Sequence, residues 1–346
     1  MTTSTPTAAP RRISRWRKLP VVQQLRQSVG LQRGMLVTGL VITGFFLIVA
    51  ALAPVIAPYR YNELRNENGL FGSQQPPSPE HLLGTTSGGY DVLSRVIWGT
   101  QTAFEVIIVA LLLSFFIGVF LGLVSGYIGG WLDRILIVIA DAVYAFPSLL
   151  LAIVAAIVIS GGRSSLWGGV FAAAISITVV FIPQYFRVIR AETIRIKAEP
   201  YVESAKVIGA SNGRIMFRHV LRNATRTLPL IVTLNSSEAI LTLAGLGFLG
   251  FGIEPTSAAE WGYDLNKSVS DVTSGIWWTS VFPGLAIVLV VLGVTLVGES
   301  LNDLADPRLR TRRKADIAPS LTAESSVVPG GSLDGVTEVD QLETHS

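Results

Sequence analysis

Six long apolar stretches constrain the fold of this chain of 346 residues more than any other feature. Each is long enough to cross the roughly 30 Å hydrocarbon core of a bilayer as an α-helix. They occupy residues 35–57, 103–127, 135–160, 167–186, 228–250 and 281–298. With 50% of its residues hydrophobic, the chain is also more apolar than a soluble protein of this size. The sequence therefore predicts an all-α integral membrane protein with about six transmembrane helices.

Basic residues predict the orientation of these spans, because positive charge is concentrated in cytosolic loops. Seven Lys/Arg and no acid precede the first span, so we expect the tail 1–34 in the cytosol. Alternation then places the loop 58–102 outside, the loop 187–226 inside and the C-terminus inside. The membrane domain would cover 35–310. A tail rich in Ser, Gly and acids, 311–346, follows it and is expected to be disordered in the cytosol.

The basic loop 187–226 has the most organised pattern of the connecting segments. It carries nine Lys/Arg against three acids. Pro200 suits the first position of a helix, Gly209 suits a helix end, and Ser211 can cap a second helix. We therefore expect two short helices joined by a glycine turn. Taken alone, such a charged loop is more often a solvated connection than a docking surface for another protein.

Four glycines recur every fourth residue along the second span: Gly118, Gly122, Gly126 and Gly130. Residues four apart lie on one face of a helix, so the spacing predicts a smooth strip that lets another helix approach to backbone contact. We interpret this strip as a helix-packing face rather than as a surface that touches substrate.

Two ionisable residues fall inside predicted spans, Asp141 in the third and Glu238 in the fifth. Charged groups at this depth are costly and usually face a cavity or a partner. Asp141 lies close to the cytosolic end of its span and is expected to face water or to pair with Arg134. For both acids we expect a polar contact or a place in the lining of a pathway, ahead of a role in proton relay.

The sequence contains no pattern typical of an enzyme. Its histidines, His81, His219 and His345, are scattered, and it has no cysteine. This distribution gives no metal-ligand cluster and no nucleophile with a base. The chain is therefore predicted to be non-catalytic and to bind no cofactor. As a transporter it would use an ion gradient, or ATP hydrolysed by another subunit, and the charge pattern does not indicate nucleic acid as a partner.

Several short motifs resemble the permease subunits of dipeptide and oligopeptide ABC importers, and they occur in that family's order. They are His81-Leu82-Leu83-Gly84-Thr85, Tyr90 to Arg95, Gly129 to Arg134, Ala145 to Leu150, Glu203-Ser204-Ala205 with Gly209-Ala210-Ser211, Gly247 to Gly252, Trp261-Gly262, Phe282 to Ala286 and Asp306 to Arg310. The resemblance covers about residues 35–310. The chain departs from the family pattern in four places. Ser204 stands where alanine is usual, Arg222 where proline is usual and Leu243 where a glutamate is often found, and the spacing after Gly252 is shifted.

The resemblance implies a type I ABC importer permease fold in the cell's inner membrane. It also implies that the loop 187–226 is a coupling loop, whose contacts with an ATPase are made by Glu203, Ser204, Ala205, Gly209 and Ala210. The implied partners are a second homologous permease, one or two ATP-binding subunits that hold ATP and Mg, and an extracytoplasmic binding protein.

The implied cargo is a di- or oligopeptide. Nickel or another small solute is an alternative cargo. A gradient-driven secondary transporter or channel is the alternative class.

Overall fold

A computed structural model of the protein describes residues 31–67, 69–160 and 168–305. The helices are α1 (Leu31–Ile56), α2 (Val92–Ile128), α3 (Gly130–Tyr144), α4 (Ser148–Ser160), α5 (Gly168–Lys197), α6 (Pro200–Val207), α7 (Asn212–Arg214), α8 (Leu221–Ala224), α9 (Leu228–Phe248), α10 (Trp261–Thr273) and α11 (Trp278–Ala305). Two short strands, β1 (Arg65–Asn66) and β2 (Gly69–Leu70), pair antiparallel between α1 and α2.

Within the described residues, five helices are long and apolar enough to cross a membrane, and the bent pair α3 and α4 makes a sixth span if it is counted as one. The prediction of an all-α membrane protein with about six spans is confirmed. The expected basic tail begins outside the described residues and ends inside α1, which starts at Leu31. The tail 311–346 and the turn 161–166 lie outside the described residues.

The prediction of one continuous helix over 135–160 is wrong. The chain turns by 100° between α3 and α4. Pro147 lies at the turn, and it has no N–H to continue the helical hydrogen bonds. It also disfavours the helical conformation at Phe146, the residue before it. The third apolar stretch is therefore two short helices rather than one straight span.

The second and fourth spans extend well beyond their apolar parts. α2 has 37 residues, which corresponds to about 55 Å at the usual helical rise. It begins at Val92 because Asp91 caps it, with the Asp91 carboxylate accepting from the Ser94 amide at 2.7 Å. α5 continues to Lys197, so the first part of the predicted loop 187–226 is helical.

The hydrophobic core lies where α2 and α5 pack against each other. Val106 and Ala110 of α2 and Ile177, Phe181 and Ile189 of α5 are fully buried. They belong to one continuous cluster that also includes residues of α9 and α11. The outward-facing side chains of the spans are mostly apolar and exposed, as expected for a surface that meets lipid.

The predicted outer loops 58–102 and 252–280 contain more structure than the sequence indicates. α10 lies within the second of them, and Glu260 caps it by accepting from the amides of Gly262 and Tyr263, both at 2.7 Å. Three indole N–H groups donate to backbone carbonyls in this part of the molecule. The pairs are Trp98 to Tyr59, Trp261 to Val96 and Trp278 to Thr85, at 3.0, 3.1 and 3.2 Å. These bonds hold the two outer segments against the ends of the spans.

Candidate coupling segment and pathway cavity

The predicted coupling loop forms a short helix followed by a sharp turn. Pro200 occupies the first turn of α6, and the helix ends at Val207. Gly209 has a φ of 87°, a conformation that glycine adopts without strain. Its amide donates to the Lys206 carbonyl at 2.9 Å, and the Ala210 amide donates to the Ala205 carbonyl at 3.0 Å. These two bonds close the helix end in a Schellman motif.

The second helical segment starts as the sequence predicts. The Ser211 hydroxyl accepts from the Arg214 amide at 3.4 Å and so caps α7. The chain then makes π-helical turns over Ile215–Val220 and a 3₁₀ turn over Thr225–Thr227 before α9 begins. Arg222 lies in α8 between these irregular turns. A break in the regular helix is therefore present although the family's proline is absent.

Buried side chains attach α6 to the bundle and leave its outer face free. Val202 and Ile215 are completely buried. Asn223 donates to the Tyr201 hydroxyl at 3.0 Å and links α6 to α8. The predicted coupling residues Glu203, Ser204 and Gly209 are exposed, whereas Ala205 and Ala210 are half-buried.

The tip of α6 carries two exposed apolar side chains. Val207 is 83% exposed and Ile208 is 85% exposed. They stand beside the Gly209 turn, where no bulky side chain covers them. Ile208 falls at a helical spacing from Val202 and Ala205, which predicts that it shares their apolar face, whereas the sequence predicts no role for Val207. In the sequence, Val207 and Ile208 look like core residues. Only the way α6 is attached to the bundle shows that they are exposed.

Three of the four spaced glycines lie directly against α5. Built β-carbons would come within 2.6 Å of Tyr185 at Gly118, 2.6 Å of Phe186 at Gly122 and 2.8 Å of Arg190 at Gly126. At Gly122 and Gly126 the atom met is a backbone carbonyl oxygen, so these two helices approach to backbone contact. A methyl group at these positions would force the helices apart.

Gly130 does not belong to this strip, which corrects the sequence analysis. α2 ends at Ile128, and Gly129 and Gly130 have φ values of 71° and 70°. These left-handed conformations turn the chain out of α2 and into α3. A β-carbon at Gly130 would meet no atom within 4 Å. Its role is to form the turn, and the four-residue spacing is coincidental there.

Glu238 of α9 is half-buried and lines a cavity of about 210 Å³ at the bend between α3 and α4. The other lining residues are Val143, Tyr144, Phe146, Ser148, Leu151, Val180 and Gln184. Half of the lining residues are apolar, and the other half supply one carboxylate, one amide and two hydroxyl groups. The cavity can accommodate a solute that combines apolar and polar groups.

Asp141 pairs with Arg187 and not with Arg134, which corrects the expected partner. Arg187 Nη2 donates to Asp141 Oδ1 at 2.6 Å, and both side chains are about half exposed, at 44% and 53%. The Arg187 guanidinium also stacks 4.4 Å above the Tyr144 ring. Tyr144 also lines the Glu238 cavity, so the ion pair of Asp141 with Arg187 is connected to that cavity through one tyrosine.

A buried ion pair joins the segments 58–102 and 252–280, and no pattern in the sequence predicts it. Arg95 Nε donates to both carboxylate oxygens of Asp264, at 2.6 and 2.8 Å. The two side chains are 2% and 6% exposed. Nearby, His81 Nδ1 lies 3.0 Å from Asp91 Oδ1, and this pair is equally buried. The one sequence signal for the ion pair of Arg95 with Asp264 is that Arg95 belongs to the segment Tyr90 to Arg95, which resembles a motif of the permease family.

Glu260 is another buried acid that no pattern in the sequence singles out. Burial raises the pKa of its carboxyl to about 8, although the two amides that it caps favour the charged form and lower that pKa. A β-carbon at Gly247 would collide with Glu260 Oε2, which is why the end of α9 has glycine there. The glycine-rich motif 247–252 thus makes room for the cap of α10.

A bundle of membrane-length helices, with a basic helix pair presented at one end, defines the chain as a membrane transport subunit. No group of three or more His, Cys, Asp and Glu side chains that could hold a metal ion occurs in the described ranges. Residues 118–311 match the family of binding-protein-dependent transport system inner membrane components. Residues 31–77 match the N-terminal transmembrane domain of oligopeptide transport permease C. The chain belongs to the family of binding-protein-dependent inner membrane components.

Individual relatives are similar over nearly their whole length. The chain is 34% identical to a dipeptide transport system permease protein of Alkalihalophilus pseudofirmus, over 86% of this chain and 92% of the relative. It is 34% identical to a putative peptide transport system permease protein of Brucella suis, over 85% of this chain and 94% of the relative. It is 33% identical to a glutathione transport system permease protein of Pectobacterium atrosepticum, over 86% of this chain and 91% of the relative.

Family membership places the chain in the inner membrane as the permease component of an ABC importer. Such permeases work together with ATPase and binding-protein components. The predicted family is therefore confirmed. The chain does not belong to the alternative class, the gradient-driven transporters.

Proposed function

We propose that this chain forms half of the translocation pathway for small peptides and couples it to ATP hydrolysis through α6. The observation that carries the coupling role is the geometry of the α6 tip. Val207 and Ile208 are exposed beside a closed Schellman turn, and Glu203 lies exposed on the same helix. A rigid tip with apolar and charged groups is suited to insert into a groove of a soluble partner.

The partners in this proposal are a second homologous permease, one or two ATP-binding subunits and an extracytoplasmic binding protein. ATP and Mg are held by the ATP-binding subunits, and this chain binds no cofactor. Both ends of the chain lie in the cytosol. Movement of the ATP-binding subunits would rock the two permeases between inward-facing and outward-facing states.

The relatives named for dipeptide, peptide and glutathione transport support a peptide cargo. The Glu238 cavity supports it independently. A peptide carries an ammonium group, amides and apolar side chains, and the cavity offers one carboxylate, other polar groups and four apolar side chains. Glu238 is positioned to meet the positive end of such a solute during transport.

Coupling is tested on the purified importer by the ATP hydrolysis that the loaded binding protein stimulates. Glu203→Lys reverses the charge on α6, and Gly209→Val strains the turn by about 1–2 kcal/mol. We expect both variants to insert and assemble normally and to lose most of the stimulated hydrolysis. Glu67→Lys, an exposed charge reversal far from α6 along the chain, serves as the control. Full stimulation in both α6 variants would remove the coupling role.

The cargo is tested by uptake in a strain that lacks this chain and any redundant importer. We expect uptake of di- or oligopeptides to be lost and then restored by the intact chain, but not by the Glu203→Lys variant. Undiminished peptide uptake, with loss of nickel or another solute instead, would contradict the peptide assignment and leave the importer mechanism in place.

A further inference from the structure

A second cavity, of about 490 Å³, lies between the end of α2 and the coupling segment. Its lining residues are Tyr127, Ile128, Lys197, Lys206, Asn212, Gly213 and Met216. Two of these residues are basic and none is acidic. The cavity therefore carries an uncompensated positive charge at the junction between a membrane span and α6.

The position of Lys197 in this cavity is fixed. Its Nζ donates to the Tyr127 carbonyl at 2.6 Å and lies 5.4 Å from the centre of the Tyr127 ring. That carbonyl belongs to the last turn of α2, where carbonyl groups lack helical partners and a cation is favoured. One of the three N–H groups of the ammonium is used in this bond, and the other two remain available.

The remaining polar groups around the cavity are also donors. The Tyr127 hydroxyl donates to Asn212 Oδ1 at 3.0 Å, which leaves the Asn212 amide N–H groups without an acceptor among the described residues. Lys206 is exposed, and within the described ranges it forms no ion pair. Two ammonium groups and the N–H groups of the Asn212 amide are donors that match a phosphate group, which offers acceptors and negative charge.

We propose that this cavity binds the phosphate group of an anionic ligand, with Lys197, Lys206 and Asn212 as its donors. The headgroup of an anionic phospholipid in the cytosolic leaflet is one source of this chemistry, because basic pockets beside the ends of spans suit such headgroups. A soluble phosphate is the other source. The inference rests on the proposed function only for placing this end of the protein in the cytosol.

A ligand in this position would touch both a span and the coupling helix. Lys206 lies one residue before Val207, the first exposed apolar residue of the α6 tip. Occupancy of the cavity would therefore fix α6 relative to α2, and lipid composition would influence how the coupling segment is presented.

The test is a titration of the purified importer complex with phosphatidylglycerol or phosphatidylcholine, followed by native mass spectrometry. We expect one tight phosphatidylglycerol site that phosphatidylcholine does not fill. Lys197→Gln and Lys206→Gln should each weaken it about fivefold, and together about 30-fold, as about 1 kcal/mol per lysine implies. Arg218→Gln removes an exposed charge from the same segment but does not line the cavity, and it should leave binding unchanged.

Competition identifies the source of the phosphate. If inorganic phosphate binds with the same dependence on the two lysines and displaces the lipid, the ligand is a soluble anion. If it does not compete, the ligand is the lipid headgroup. Equal binding of the two lipids, or equal loss in Arg218→Gln, would overturn the proposal.

Lys206→Gln keeps the test valid if Lys197→Gln impairs folding, because the Lys206 side chain forms no hydrogen bond or ion pair within the described part of the protein. The titration requires no ATP hydrolysis. Failure of the phosphate site is therefore distinguishable from failure of the coupling role, which Glu203→Lys tests separately.

Discussion

At the scale of single residues, the buried pair of Arg95 and Asp264 joins the start of α2 to α10. Removing one partner of a buried pair leaves an uncompensated charge and costs about 3–5 kcal/mol. We expect Arg95→Leu to lower the thermal unfolding temperature of the purified protein in detergent strongly. The double variant Arg95→Leu with Asp264→Leu should recover most of the loss, because it leaves no buried charge behind.

The exposed ion pair of Arg187 with Asp141 is the control for the buried pair of Arg95 with Asp264. Both side chains are about half exposed, and exposed pairs contribute about 0–1 kcal/mol. Arg187→Leu should therefore change the unfolding temperature little. If the double variant at Arg95 and Asp264 is as unstable as the single one, packing rather than charge determines the effect.

Glu260 gives the part of the molecule around α10 a pH-dependent stability. Burial raises the pKa of its carboxyl from its ordinary 4.5 to about 8 in the folded protein. Between those values the folded state binds more protons than the unfolded chain. The contribution of this group is therefore complete below about pH 4.5 and is lost as the pH rises through about 8.

Glu260→Gln tests this dependence. The glutamine side-chain oxygen can still accept a hydrogen bond from a backbone amide at the start of α10, but the side chain no longer titrates. We expect the fall in unfolding temperature between about pH 5 and about pH 9 to become smaller in this variant. Glu67→Gln, which changes an exposed acid, should keep the dependence of the unaltered protein. An identical pH profile for Glu260→Gln would mean that other groups cause it.

At the scale of elements, the contact between α2 and α5 depends on the absence of side chains at three glycines. Gly122→Leu would insert a side chain where a β-carbon alone would lie 2.6 Å from the Phe186 carbonyl oxygen. We expect overpacking to cost about 1–3 kcal/mol and to lower both the detergent unfolding temperature and the yield of assembled importer.

Gly44→Leu is the matched control for this substitution. Gly44 lies within α1, and a β-carbon there would meet no atom within 4 Å. The change should be neutral or slightly stabilising, because leucine favours a helix by about 0.8 kcal/mol over glycine. Equal losses at Gly44 and Gly122 would show that bulk in any span, rather than the α2–α5 contact, is responsible.

At the scale of the whole molecule, the proposed orientation puts the two outer segments on one side of the membrane and α6 on the other. The chain contains no cysteine, so single cysteines report position directly. We expect Gln75→Cys and Thr256→Cys to react with an impermeant maleimide in intact cells. Ile208→Cys should react only after permeabilisation. Labelling of Ile208→Cys from outside would reverse the topology and remove the coupling role.

The sequence by itself determined the features that depend on neighbouring residues. Apolar length predicts a span, and Pro200, Gly209 and Ser211 predict the ends of short helices, because backbone conformation and capping are local. The glycine strip was predictable up to Gly126. At Gly130 the prediction was wrong, because the helix on which the spacing depends had already ended.

Only the tertiary structure decided which distant residues meet. Arg95 and Asp264 are 169 positions apart, and Arg187 and Asp141 are 46 apart, so no local pattern relates their charges. The same holds for the cavity beside Lys197 and Lys206, whose walls come from α2, α5, α6, α7 and the π-helical turns over Ile215–Val220. Periodicity states which face of a helix is apolar, but the packing of helices decides which faces come together.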